Sequence, residues 1–226
     1  MKKIVFLGVL SVLVASLCFA GGAKDYETTK TTDKDNYLES KVSYPTFNIP
    51  VLDEAIRTSI VQPSEEFKVT SKSHWEAHTA LLQETDPNAV AHPYVYQVSY
   101  DKPLITDKYV SVLFTTYMFE GGAHGITKLT SFTYDKEQDK LLSITEASGM
   151  TLEEIASLCQ LKLKADLESE PSSGVDRAAW IEEGTKPEEQ NFRIFTFDGT
   201  TLTVYFEHYT VAPYAAGIQK VEIPCN

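Results

Sequence analysis

Tyr109-Val-Ser-Val-Leu-Phe-Thr-Thr-Tyr-Met-Phe119 decides the fold class of this chain. The stretch is rich in aromatic and β-branched residues and alternates in the manner of a half-buried antiparallel strand. Upstream, Tyr94-Val-Tyr-Gln-Val-Ser-Tyr100 repeats the pattern, and downstream Ile126 to Asp135 and Lys140 to Ile144 continue it as a hairpin. A second hairpin is predicted from Asn191 to Phe197 and Thr201 to Phe206, joined at Asp198-Gly199, a tight-turn dipeptide. Ile218 to Ile223 supplies a last strand, and Val42 to Phe47 a first one.

Helices are predicted between these runs. Asn48 and Pro50 lead into an amphipathic helix with Leu52, Ala55, Ile56 and Ile60 on one face, which Pro63 breaks or kinks. Phe67, His74, Trp75, His78, Leu81 and Leu82 return at helical spacing from Ser64 to Glu84, and Asp86-Pro87-Asn88 ends that segment. Thr151-Leu-Glu-Glu154 is a capping box that opens a helix running to about Glu168. After a polar stretch with Pro171, Ser172, Ser173 and Gly174, a short helix fits Arg177 to Glu183. Strands grouped in runs, rather than alternating singly with helices, predict an α+β fold with mainly antiparallel sheets packed against a few helices, in two closely joined modules.

The amino end carries Lys2 and Lys3 before an apolar run from Ile4 to Ala20, the pattern of a secretory signal cleaved before Gly21 or after Ala23. Lipid attachment at Cys18 is disfavoured by the bulky Leu17 before it. Removing residues 1–20 leaves 18 Lys and Arg against 32 Asp and Glu, or −14, compared with −12 for the whole chain. Such a charge argues against nucleic acid as a partner. Residues 137–190 hold 13 acidic and 5 basic residues, or −8, and an acidic field of this kind favours encounter with basic proteins or simply keeps an exported protein soluble. The expected location is the periplasm or the cell exterior, with no transmembrane anchor once the signal is cleaved. Gly21 to Ser40, polar and without a period, is expected to be a disordered leader. The segments are then 1–20 signal, 21–40 leader, 41–105 an amino-terminal companion module and 106–226 a carboxy-terminal domain.

Two glycine-bearing segments stand out as candidate sites. In Tyr117-Met-Phe-Glu-Gly-Gly-Ala-His-Gly125, the glycines free the backbone for a tight turn, and His124 offers a ligand or a proton near neutral pH. Glu120, Gly121, Gly122 and His124 therefore form either a packed structural turn or a partner-contacting loop. In Tyr205-Phe-Glu-His-Tyr-Thr-Val-Ala-Pro-Tyr-Ala-Ala-Gly217, Tyr209, Pro213 and Tyr214 form either an exposed aromatic recognition surface or a corner that packs the last strand.

Other chemistry is weakly supported. His74 and His78 lie one helical turn apart, but Glu76 sits between them rather than in a zinc-peptidase position, and a third ligand would have to come from His92 or a distant acid. No nucleophile-elbow motif is present, and neither Cys159 nor Cys225 has a histidine nearby in sequence. Those two cysteines either bond, tying a helix to the chain end, or leave Cys159 as a buried thiol on the stripe Leu152, Ile155, Cys159, Leu163. Neither a metal nor a cofactor is expected.

The two glycine-bearing segments, with the hairpin, helix and strands between them in order, resemble the extracellular domain family of the anti-sigma factor RsiV and the peptidoglycan deacetylase PdaC, which also occurs in secreted mycobacterial antigens. The resemblance covers roughly Lys41 to Pro224 and is densest in the carboxy-terminal half. It implies a domain that binds rather than catalyses. Neither the RsiV-type cytoplasmic and membrane segments nor a downstream deacetylase domain is expected here, so sigma-factor control and deacetylation are not expected to carry over. The expected function is an exported envelope binding protein that engages C-type lysozyme, another envelope protein or peptidoglycan. A cell-wall glycan-processing enzyme or accessory is the alternative, and a structural or immunogenic envelope protein a third reading.

Overall fold

Along Tyr109–Phe119 (β5), Val110, Val112 and Phe114 are buried, and so are Ser111 and Leu113 between them. A strand covered on both faces needs a layer above it and a layer below it. The computed structural model, which describes residues 25–167 and 177–225, supplies both. The expected signal segment, the first residues of the leader and the polar stretch from Pro171 to Gly174 lie outside the described residues.

β5 is central in a sheet formed, among the described residues, by seven strands in the order β1-β2-β3-β5-β6-β7, with β4 also pairing with β5. These are β1 (Glu27–Lys34), β2 (Leu38–Thr46), β3 (Tyr94–Tyr100), β4 (Leu104–Ile105), β6 (Ile126–Asp135) and β7 (Lys140–Leu141). All pairings are antiparallel except β2 with β3, where the chain crosses over through a long helical segment. That segment consists of α1 (Pro50–Ile56), a π-turn (Arg57–Val61) and α2 (Gln62–Gln83). Pro63 does not break it. Proline lacks an N–H and crowds the carbonyl four residues back, and a widened turn just before it relieves that crowding while the helix continues. Leu52, Ile56 and Ile60 project from this helix onto Val42, Tyr96, Val98, Val110, Val112 and Phe114. Each large side chain fully buried there contributes about 1.5–3 kcal/mol.

The expected disordered leader is corrected from Glu27 onward. Glu27 to Lys34 pairs with Glu39 to Thr46 along its whole length, tied down by Lys68 to Asp33 at 2.7 Å and by a Thr28 to Tyr100 hydroxyl contact at 2.6 Å. Its side chains are almost all exposed, so its composition looks like that of a soluble tail. The expected module boundary at 105/106 falls within the large sheet, between β4 and β5, which are paired.

The second sheet is small, in the order β10-β9-β8, with β8 (Phe195–Phe197), β9 (Thr201–Phe206) and β10 (Gln219–Pro224). One face packs against α4 (Leu152–Leu167) and α5 (Arg177–Gly184) through Ile155, Cys159, Leu163, Ile181, Leu202, Val204 and Ile223. The expected capping box opens α4: Glu154 N–H donates to Thr151 Oγ1 at 3.2 Å and Thr151 N–H to Glu154 Oε2 at 2.8 Å. A second such box, Ser143 with Glu146, opens α3 (Ile144–Ser148), which replaces the expected end of the first hairpin. Cys159 and Cys225 do not bond. Both are free thiols in the same core, and burial pushes Cys159 up to about 12.

The two sheets meet edge on face. Phe195 N–H and Phe197 N–H, on the side of β8 away from β9, donate to Ser131 Oγ at 2.9 Å and Ser111 Oγ at 3.1 Å on the large sheet. Ser111 and Thr133, directly opposite in β5 and β6, share a hydroxyl hydrogen bond of 2.7 Å. In return, Glu207 at the end of β9 accepts Leu129 N–H of β6 at 2.6 Å. Leu113, Leu129 and Ile194 fill the space between.

Ser111→Ala should therefore lower unfolding stability by about 1–3 kcal/mol in urea melts, because it strands the buried Phe197 N–H. A loss within the few tenths expected of a surface change would show that this junction is not holding the sheets. Asp135 provides a pH test. Burial acts to raise its pKa, but donation from Gln138 N–H and Glu137 N–H, with the Gln138 side chain and the Lys108 charge adding to it, outweighs burial and holds the value below the ordinary one. Its contribution is then complete above the ordinary aspartate range and disappears as pH falls through the lower folded value. Acid unfolding of Asp135→Asn should show a shallower pH dependence than that of the parent chain; an unchanged slope would contradict this.

Candidate functional site

β5 runs out at Phe119 into the turn Glu120–Gly125, and β9 runs out at Phe206 into the segment Glu207–Ile218. Because the sheets are joined at β6 and β8, these two exits lie side by side. Tyr214 receives both: its ring stacks with His124 of the first segment at 5.3 Å between centroids and with His208 of the second at 4.4 Å. Tyr209 lies 5.7 Å from Tyr214, and Trp180 of α5 lies 6.4 Å from Tyr209. Tyr209 and Tyr214 are 59% and 40% exposed, so this cluster is a surface and not a core.

Local backbone chemistry fixes each ring. Gly121 has φ +94, and a Cβ there would fall 2.4 Å from His78 Cε1, so the turn lies directly on α2. His124 Nδ1–H donates to the Gly125 carbonyl at 3.0 Å. Tyr209, a non-glycine residue with φ +67, is held in that sparsely populated region by a Thr210 N–H to Glu207 carbonyl bond of 3.1 Å. Such a conformation costs about 1–3 kcal/mol and persists only where the surroundings impose it. Here α5 imposes it, because Gly184 lets the helix approach until the Thr210 carbonyl would lie 2.2 Å from a Cβ. Tyr214 opens a single 3-10 turn (Tyr214–Ala216), closed by Ala216 N–H to the Pro213 carbonyl at 2.9 Å and Gly217 N–H to the Tyr214 carbonyl at 3.0 Å.

Of the residues singled out in the sequence, His124, Tyr209 and Tyr214 come together, with Pro213 starting the turn that carries Tyr214. Glu120 acts elsewhere. Its charge adds to burial in raising the pKa of Tyr94 on β3, beside His78. His208 and Trp180 were not anticipated. His208 was legible, since it lies inside the second glycine-bearing segment, whereas nothing in the sequence marks Trp180 as its neighbour. Among the described residues, His208 Nδ1 is buried with no hydrogen-bond partner. His74 and His92 are exposed, His78 packs against the Gly121 turn, and among the described residues no three His, Cys, Asp or Glu side chains are grouped to hold a metal ion.

A cleft of about 350 Å³ is lined by Glu207 and Thr210, which flank His208 and Tyr209 in the chain, and by Gln190, Asn191, Arg193 and Tyr205. Arg193 Nη2 makes one long contact to Glu207 Oε2 at 3.5 Å. Among the described residues, no helix is long and apolar enough to cross a membrane.

Residues 31–127 match the family model described as "Deacetylase PdaC", and residues 146–226 match the model described as "Protein of unknown function (DUF3298)". Over 184 residues, 80% of this chain, the sequence is 28% identical to the peptidoglycan-N-acetylmuramic acid deacetylase PdaC of Bacillus subtilis strain 168. The match spans 36% of that protein's length. These findings support the PdaC side of the family resemblance. They also correct the expectation that the chain is not an enzyme, since a relative over most of its length is named as one. The fold is shared with the crystal structure of a DUF3298 family member from Bacteroides fragilis NCTC 9343, with a TM-score of 0.60 at 16% identity over 88% of this chain and 90% of that one. A DUF3298 family protein from Pseudomonas aeruginosa PAO1 gives 0.57 at 17% identity over 89% and 91%.

Gly121→Ala should destabilise the chain by about 1–3 kcal/mol more than Gly122→Ala in thermal melts. Both residues have positive φ, but a Cβ at Gly122 meets nothing within 4 Å, whereas one at Gly121 overpacks against the His78 ring. Equal shifts would mean that the turn is not seated on α2.

Proposed function

We propose that this chain is an exported cell-envelope protein that processes cell-wall glycan, as an enzyme or as the accessory that presents the glycan, and that it engages peptidoglycan through the surface formed by Tyr214, Tyr209, His124 and His208. The observation that carries this reading is the stack on Tyr214. Aromatic side chains held rigid by their own turns, Tyr209 59% and Tyr214 40% exposed, present apolar ring surface with polar tips, which suits a pyranose, whose faces carry C–H groups and whose rim carries hydroxyls. Similarity over 80% of the chain to a protein named as a peptidoglycan deacetylase supports the same substrate class. The signal-like residues 1–20 support export to the periplasm or beyond the cell.

The acidic balance supports a second reading, capture of a basic envelope-directed protein such as C-type lysozyme. The whole chain carries −12, and residues 137–190 hold 13 acidic against 5 basic residues. Such a field accelerates encounter with a cation-rich partner and is screened within about 8 Å at physiological ionic strength.

Cosedimentation with purified peptidoglycan tests the first reading. The parent chain should be retained, Tyr214→Ala and Tyr209→Ala should each weaken retention by about tenfold or more, and both variants should keep the parent's melting temperature within a few degrees. Release of acetate from the same material would assign the enzyme role, and retention without release the accessory role. A chain that stays in the supernatant, and instead binds C-type lysozyme with an association rate that falls as salt rises, would replace the glycan reading by the second.

A further inference from the structure

The outer strands of the two sheets, β10 and β1, treat their free edges differently. At β10, Cys225 N–H donates to the Thr200 carbonyl and continues the register with β9. Val221 and Ile223 therefore bond to β9, while the main-chain groups of Lys220, Glu222 and Pro224 point outward. That edge is partly closed: Lys162 Nζ donates to the Glu222 carbonyl, and Pro224 has no N–H to offer. β1 is the opposite case. Asp35 N–H donates to the Leu38 carbonyl in the register of the β1–β2 pair, so Thr29, Thr31 and Asp33 bond to β2. The N–H and carbonyl groups of Thr28, Lys30, Thr32 and Lys34 then face away from the sheet, and among the described residues nothing takes them up. An open edge of eight residues, with almost every side chain exposed, is a template for another strand.

The strand that fits this edge is β1 of a second copy. A two-fold axis perpendicular to the sheet pairs β1 with itself antiparallel, and the position of the axis sets the register. With the axis at Thr31, Thr28 faces Lys34, Thr29 faces Asp33 and Lys30 faces Thr32 of the second copy. Like charges then meet only past the end of the strand, where Glu27 faces Asp35. Moving the axis to Lys30 sets that lysine against itself and Glu27 against Asp33, and moving it to Thr32 sets Lys30 against Lys34. Directly opposed like charges are destabilising, so Lys30 excludes both neighbouring registers. In the Thr31 register all four outward-facing residues fall in hydrogen-bonded pairs and exchange about eight main-chain bonds, a number usual for a protein interface. The charges of β1 also cancel, Glu27 and Asp33 against Lys30 and Lys34, in a chain that carries −12. Lys34 is already paired with Glu39 at 2.7 Å, and Asp33 with Lys68 at 2.7 Å. We propose that β1 is a self-association edge, which joins the large sheets of two copies into one continuous sheet across an axis at Thr31. This goes beyond the glycan reading and does not depend on it. The dimer carries two aromatic surfaces, whatever ligand they hold.

Sedimentation velocity of the full chain over a series of concentrations tests the edge. The mass should move from that of one chain to that of two, and added salt should favour the dimer, because it screens the repulsion between two acidic bodies. Thr32→Pro should leave a monomer at every concentration and keep the melting temperature of the dilute parent within a few degrees, since the N–H it removes faces away from β2. If that variant does not fold, Thr31→Asp gives the same reading, because it sets two carboxylates against each other across the axis. Cysteine cross-linking reads the register. In a Cys225→Ser background, Thr31→Cys should form a disulfide-linked dimer in air, and Thr29→Cys, which faces Asp33, should not. A chain that is monomeric at all concentrations, a dimer that survives both Thr32→Pro and Thr31→Asp, or equal cross-linking at the two positions would overturn the proposal.

Discussion

The structure depends on how one sheet edge is satisfied. β8 is the last strand of the small sheet, and an unpaired strand edge leaves buried N–H groups that each cost about 1–3 kcal/mol if they find no acceptor. Instead of another strand, the acceptors are the hydroxyls of Ser131 and Ser111 on the face of the large sheet. The exchange is mutual, since Glu207 of the small sheet takes up Leu129 N–H of β6. Ser111 in the middle of an otherwise apolar strand thus has a structural reason. It sits between Val110 and Val112, is fully buried, and links three strands through one hydroxyl.

This junction places the chemistry. The loops that leave β5 and β9 belong to different sheets, yet they emerge together because β6 and β8 are in contact. The turn carrying His124 and the segment carrying His208, Tyr209 and Tyr214 then form one surface, with Trp180 at its border. Rigidity comes from close backbone approach at Gly121 and Gly184, and from the positive φ of Tyr209. A surface whose rings are already ordered loses little conformational entropy on binding. Glu207 belongs to both halves of the account, bracing β6 while limiting how Arg193 can move in the cleft.

Much of the fold was legible because period and punctuation agree. Tyr94–Tyr100 and Tyr109–Phe119 fall where alternation places them, and Thr151 caps α4 as its spacing with Glu154 requires. β1 was hidden because an edge strand with both faces in water has no apolar period; its run of β-branched threonines was the available signal. Pro63 misled because a π-turn accommodates it without ending the helix. At the site, the glycine-bearing segments pointed to His124, Tyr209 and Tyr214. Arg193 and Trp180 carry no local signature, and only the packing of a 3-10 turn (Glu189–Phe192) and of α5 beside β9 brings them there. Whether the cysteines bond is a matter of distance that sequence does not encode.

Amide hydrogen exchange at Phe195, Phe197 and Leu129 tests the central claim most directly, since these N–H groups are protected only if the small sheet's edge rests on the large sheet's face. The account predicts that all three exchange as slowly as amides paired within β5 and β9, and that Ser111→Ala speeds Phe197 without exposing the rest of β9. Exchange at Phe195 and Phe197 as fast as in the exposed turn at Gly122 would contradict it and would separate the two halves of the proposed site.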